Sequence, residues 1–341
     1  MDYLRVLKRA LEITWKYRAL WLVGLLLVVA GGGVTGGFRG GAPAAGGGGG
    51  RGEWQPPVEE PEKVLWVVIA VAVLIVVILL LAIIIGIVTA IVRYVTRTSL
   101  IQMVQSYEET GEEIGFWSGL RMGWSQSAFH FFLVDLLLRL PLALLMILLI
   151  GPMVALGVLS FVSRSGPAIG LGILFLLLII PAILLAVAVR VVLVPILEIT
   201  YRACVIQGVE AWKAIQEGFG LIRRNLGPAA VQWLLLVCLG IAWRIVLIPV
   251  NLLLVALALF VGGLPSLFLG GMAALILGGP VGLVLGLLVF VPVFIVVVAV
   301  PKIALTTFAT VYYSTAWTLT YRELCVIDTR EEGDASAVGE A

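Results

Sequence analysis

The 341-residue sequence is poor in the side chains that most chemistry requires. Charged residues make up 12% of it, about half the usual share of a soluble domain, so water is not the main solvent of this fold. The one histidine, His130, stands in "SAFHFFLVD" with no second histidine or cysteine beside it to share a metal. The three cysteines, Cys204, Cys238 and Cys325, are far apart and show no C-x-x-C spacing, which indicates neither a disulfide framework nor a zinc site. There is no serine, histidine and acid set, no H-E-x-x-H and no P-loop. The acidic cluster Glu108, Glu109, Glu112 and Glu113 reads as a solvated connection. These absences point to a protein that is not an enzyme and carries no cofactor. A net charge of +2 with no basic tract indicates no nucleic-acid partner.

What is abundant is hydrocarbon, with 62% of the residues hydrophobic. A bilayer core of about 30 Å needs roughly 20 apolar residues as helix. Six stretches supply them, near residues 15 to 34, 64 to 92, 127 to 160, 168 to 197, 228 to 258 and 281 to 301. The basic, helix-like amino terminus has no prompt cleavage site, so the first stretch reads as a retained span and not as a signal peptide. Residues 262 to 280, bracketed by glycine and proline, read as an interfacial or re-entrant piece, with a seventh span as the alternative. Residues 31 to 62 are glycine- and proline-rich with hardly any packing side chains, and such a segment cannot offset its own chain entropy. The expectation is one membrane domain over residues 1 to 326 with a disordered external loop at 31 to 62, followed by a disordered acidic tail at 327 to 341. Of the 22 basic residues, 15 fall on the side holding the amino terminus and four on the other. By the positive-inside rule both termini lie in the cytoplasm of a protein of the inner (plasma) membrane.

Three polar islands interrupt the apolar runs. "LKRALEITW" (7 to 15), "FWSGLRMGW" (116 to 124) and "AWKAIQEGF" (211 to 219) align on a small residue (Ala10, Gly119, Ala214), an aliphatic one and then an aromatic (Trp15, Trp124, Phe219). Trp117 and Trp212 open the second and third copies, which puts aromatic, aliphatic and aromatic groups at i, i+3 and i+7, one face of a helix. With Arg223, Arg224 and other cations alongside, these islands read as amphipathic helices anchored at the headgroup level. Each precedes a pair of spans. The predicted fold is therefore an all-α membrane protein with six transmembrane helices in three repeated units of amphipathic helix plus helical hairpin. The gapless echo of residues 194 to 206 in residues 300 to 312 supports duplication.

The third island in full, "GVEAWKAIQEGFGLIRRNLG", resembles a pattern in a broad group of uncharacterised bacterial multi-span proteins, at Gly208, Ala211, Ala214, Phe219, Leu221, Ile222 and Asn225. That group includes the membrane domain attached to some glycerophosphoryl diester phosphodiesterases. The resemblance implies a membrane module; the catalytic barrel of those enzymes is a separate unit, so no catalytic residue carries over.

Four ionisable residues fall at hydrocarbon depth: Asp135 and Arg139, four apart on one helix face, and Arg190 and Arg244. Charges there cost on the order of 2.5 to 3.5 kcal/mol each. They are either tied to one another and to backbone carbonyls, or they line a polar interior that accepts an anionic group. The function expected is a non-enzymatic membrane module that binds anionic lipid or a partner membrane protein. A transporter subunit is the alternative, with "VEAWKAI" as the helix that docks an ATPase. The importer pattern wants glycine where Gln216 stands.

Overall fold

The computed structural model describes residues 2 to 31, 61 to 162 and 167 to 339, and among them there is helix and no strand. The order is α1 (Tyr3–Lys16), α2 (Arg18–Val29), α3 (Pro61–Thr110), α4 (Phe116–Gly123), α5 (Gln126–Val162), α6 (Pro167–Gln207), α7 (Ala211–Arg224), α8 (Leu226–Leu277) and α9 (Gly279–Gly339). Segments of α3, α5, α6, α8 and α9 are long and apolar enough to cross a membrane, and the chain is an all-α, multi-pass membrane protein. The remaining expected span, 15 to 34, is divided. Tyr17, at φ −86° and ψ 87°, breaks the helix, and α2 has 12 residues, about 18 Å at the 1.5 Å rise of an α-helix.

The chain places a short helix before a pair of apolar helices three times over. Asp2 caps α1 by accepting the Arg5 amide at 3.1 Å. The Trp21 indole donates to the Thr14 carbonyl at 2.6 Å across the break at Tyr17. α3 and α6 each give way to a left-handed glycine, Gly111 (φ 73°) and Gly208 (φ 66°), before the next short helix begins. The short helices then fold back in a closed cycle: α4 lies along α3, α7 along α6, and α1 along α9.

Small residues make this close packing possible. Ala10, Gly119 and Ala214 are buried, as are Thr14, Gly123 and Gly218 one turn later. Gly119 lies against Met103, Gly123 against Ser99 and Gly218 against Thr200. The cations and aromatics fall on the opposite face. The last turns of α3 and α6 meet the stretch of α9 from Val311 onward inside this ring, where Leu100, Met103, Ile199, Ala203, Val311 and Ala316 form the core with Ala10, Ile13, Tyr17 and Leu20. Tyr17 ties the ring to the loop after α3, donating to the Ile114 carbonyl at 2.7 Å and accepting its amide at 2.6 Å. Burial pushes this phenol above its ordinary range. Away from the ring the helices expose their apolar side chains; in α3, Val73, Leu79 and Ile87 are all more than half exposed.

Two expectations change. Residues 262 to 277 form no separate piece but are the continuous end of α8, which turns into α9 at Gly278 (φ 100°). The glycines there serve helix contact: a Cβ on Gly270 would meet the Gly282 carbonyl at 2.9 Å and the Gly286 Cα at 3.1 Å. The acidic tail expected from residue 327 is helix in α9 as far as Gly339, and Asp328 accepts from Asn225 at 3.3 Å and pairs with Arg224 at 3.4 Å. The loop expected at 31 to 62 lies, but for Gly31 and the start of α3, outside the described residues.

The close packing gives a contrast within one helix. A Cβ on Gly218 would sit 2.6 Å from Thr200 Oγ1 and 2.9 Å from its Cα, whereas Gly220 meets only the tip of Arg224 at 3.8 Å. Gly218→Ala is expected to destabilise the protein by about 1–3 kcal/mol through overpacking. Gly220→Ala should be neutral or stabilising by up to about 1 kcal/mol, from helix propensity. Thermal unfolding of the two variants in detergent measures the difference; equal effects would mean that α7 does not seat on α6 in this way.

Candidate functional site

The polar side chains that converge inside the bundle come from four helices. α6 presents Glu198, Tyr201 and Arg202 within one turn, α3 presents Tyr94 and Arg97, α5 presents Asp135 and Arg139, and α9 offers the Ser314 carbonyl. Asp135 is 5% exposed. It accepts from Tyr94 at 2.7 Å, from the Tyr201 hydroxyl, and from Arg139 Nε at 2.7 Å. Glu198 accepts from Arg97 on one oxygen and from Arg202 Nη1, at 2.7 Å, on the other. The same Nη1 reaches the Glu198 carbonyl at 2.6 Å, and Arg202 Nη2 donates to the Ser314 carbonyl at 3.1 Å. Arg97 also lies 5.0 Å from the Tyr201 ring centroid and 5.7 Å from that of Phe131, a favourable seat for a guanidinium.

Every oxygen of the two carboxylates accepts from at least one side-chain donor. The cluster can hold α3, α5, α6 and α9 in register. The charges do not balance: Arg97, Arg139 and Arg202 face Asp135 and Glu198, which leaves one positive charge over. Arg139, whose side chain is half exposed, sits where that excess reaches the protein surface.

Of the residues expected to share a polar interior, the structure joins Asp135 and Arg139 directly. Arg244 is exposed on α8, and the side chain of Arg190 lies outside the described residues. Arg97, Glu198 and Arg202 were not foreseen, because hydropathy assigned the ends of α3 and α6 to the membrane surface. Two signals were present: the four-residue spacing of Glu198 and Arg202, and the tripeptide Thr200-Tyr201-Arg202, which recurs as Thr320-Tyr321-Arg322.

The aromatic residues expected as anchors are exposed. Trp15 is 72% exposed, Trp117 78%, Trp124 70% and Trp212 63%, and Phe219 stands beside them on α7. Arg223 and Arg224 are exposed in the last turn of α7. Comparison with known protein families, with curated proteins and with solved structures finds no match to the chain.

A buried ion cluster of this kind has a testable signature. Glu198→Gln leaves two guanidiniums facing no carboxylate and is expected to cost about 3–5 kcal/mol. Adding Arg97→Met and Arg202→Met should recover most of that loss, since apolar replacement of a whole buried network is close to neutral. Unfolding midpoints of the single and triple variants decide; a triple variant worse than the single would show that the arginines are needed for more than balancing Glu198.

Proposed function

We propose that the chain is a non-enzymatic membrane module that gathers anionic lipid at one membrane face. The observation that carries this is the collar: four tryptophans on the outward faces of three short helices, at the same end of the bundle, with their small-residue faces turned inward. Indole rings and cations are the groups that partition to the headgroup layer. Arg5, Lys8 and Lys16 on α1, Arg121 on α4, and Lys213, Arg223 and Arg224 on α7 supply positive charge there.

In this reading the collar faces the cytoplasm with both termini, and the protein sits in the plasma (inner) membrane. α2, continued beyond Val29, makes a sixth crossing, and the three short-helix-plus-hairpin units descend from one. The cyclic packing of α1, α4 and α7 on α9, α3 and α6 supports that descent. The resemblance to the membrane domain of some glycerophosphoryl diester phosphodiesterases agrees with a lipid-facing role. A partner membrane protein is the other occupant such a collar would suit.

The test is lipid retention. Protein purified in mild detergent from a mixed membrane should keep phosphatidylglycerol in excess over zwitterionic lipid, as read by native mass spectrometry. Replacing Trp15, Trp117, Trp124 and Trp212 by Ser together with Arg223→Gln and Arg224→Gln should lower that excess about fivefold or more, each basic residue near an anionic surface being worth about 1 kcal/mol. Equal retention of both lipid types would refute the proposal. Co-purification with an ATPase and substrate flux in proteoliposomes would establish a transporter subunit in its place.

A further inference from the structure

A cleft of about 890 Å³ opens between α1, residues 319 to 326 of α9 and the end of α3, bounded in part by Arg5, Lys8, Arg9, Glu108, Arg322 and Glu323. Several of its charges are already used. Asp2 caps α1, and Arg9 is held by Glu108 at 2.9 Å and by Glu12 at 3.4 Å. Arg5, Lys8 and Arg322 make no salt bridge among the described residues; the acids that line the cleft with them are Glu323, Asp2, whose carboxylate accepts only a backbone amide, and Glu12 and Glu108, which share Arg9.

Arg322 gives the cleft its chemistry. Its Nη1 is shielded from solvent and has no hydrogen-bond partner, and a shielded charged donor left unmatched is costly. The tripeptide echo shows what is missing. Arg202, in Thr200-Tyr201-Arg202, has a glutamate four residues earlier, and Glu198 takes its Nη1 at 2.7 Å. Arg322, in Thr320-Tyr321-Arg322, has Thr318 at that position, and the Thr318 hydroxyl is spent on the Ser314 carbonyl at 2.9 Å. The sequence supplies an internal anion to Arg202, whose Nε alone stays unmatched, and none to Arg322, which is one of the residues lining the cleft.

We propose that this cleft binds a phosphate group, with Arg322 as the fork that grips it and Arg5 and Lys8 as the surrounding charge. A guanidinium fork matches phosphate oxygens in geometry and charge. A phospholipid headgroup and a soluble phosphate compound share this chemistry. The proposal deepens the collar reading and rests on it only in taking this end of the bundle as the headgroup side.

The experiment uses the full chain with two probes: pyrophosphate titrated calorimetrically in uncharged detergent, and nanodiscs of phosphatidylglycerol or of phosphatidylcholine read for bound lipid. Wild-type protein is expected to bind pyrophosphate, or to retain phosphatidylglycerol in competition with phosphatidylcholine. Arg322→Gln should weaken that binding about tenfold or more, Arg322→Lys should not restore it, and Lys302→Gln, exposed and outside the cleft, should leave it unchanged. Loss of pyrophosphate binding identifies a soluble ligand, and loss of lipid retention alone identifies a headgroup; either supports the site. Should Arg322→Gln fail to fold, Arg5→Gln with Lys8→Gln on the exposed side of α1 must show the same loss. Wild-type affinity in the folded variants, or no binding of either probe by wild-type protein, overturns the proposal. An anionic-lipid preference that persists in Arg322→Gln but falls with the tryptophan replacements would remove the cleft and leave the collar standing.

Discussion

The rest of the structure depends on how closely backbones approach at one end of the bundle. A short helix can lie flat on a long one only where side chains are nearly absent between them, and Gly119, Gly123, Ala214 and Gly218 provide this on α4 and α7, Ala10 and Thr14 on α1. In a membrane the gain is not hydrophobic, since lipid tails are as apolar as leucine. It comes from dispersion across the close contact and from polar groups satisfied within it. One face of each short helix is thereby committed to packing, and its aromatics and cations are left to point outward. Packing and surface chemistry are two sides of one amphipathic pattern.

Because α1 closes on α9, these two helices share a core, and the last turns of α3 and α6 with the stretch of α9 from Val311 to Leu324 become its centre. That convergence shields Glu198 and Arg202 from lipid and water alike, and it sets the cost of every polar group there. Some hydroxyls meet this cost locally, bonding to carbonyls four residues back, as those of Thr96, Ser99, Thr310 and Thr315 do, while those of Thr98, Thr200 and Thr307 are buried without a partner. Arg97 and Arg202 share Glu198. Arg322 makes no salt bridge among the described residues and its Nη1 has no partner, which is why the cleft it lines is the place to look for a ligand.

Much of this was legible in the sequence. Hydrophobic run length gave the all-α membrane class and located five long apolar helices, and the i, i+3, i+7 spacing of Trp117, Leu120 and Trp124 put the aromatics on the exposed face where the structure has them. The buried charges were not legible. Hydropathy ranks an arginine by its neighbours in sequence, so Arg139 and Arg244 stood out while Arg97 and Arg202, close to turns, did not; burial at that depth is decided by which helix ends meet. The same limit explains residues 262 to 277. Glycine and Pro265 normally mark a break, but here Gly270, Gly282 and Gly286 face one another across a hairpin, and α8 continues through them. Asp328 likewise reads as tail until Asn225 and Arg224 are brought to it.

The central claim is that α1 and α2 are held to the rest of the protein by packing on α9 and α3, not merely by the chain. A protease site inserted between residues 40 and 50 tests this most directly. After complete cleavage, the fragment carrying α1 and α2 should co-elute with the remainder on size exclusion in mild detergent, and its amides in α1 should stay protected from hydrogen exchange. Separation of the two fragments, or full exchange of α1 in the cleaved protein, would contradict the account.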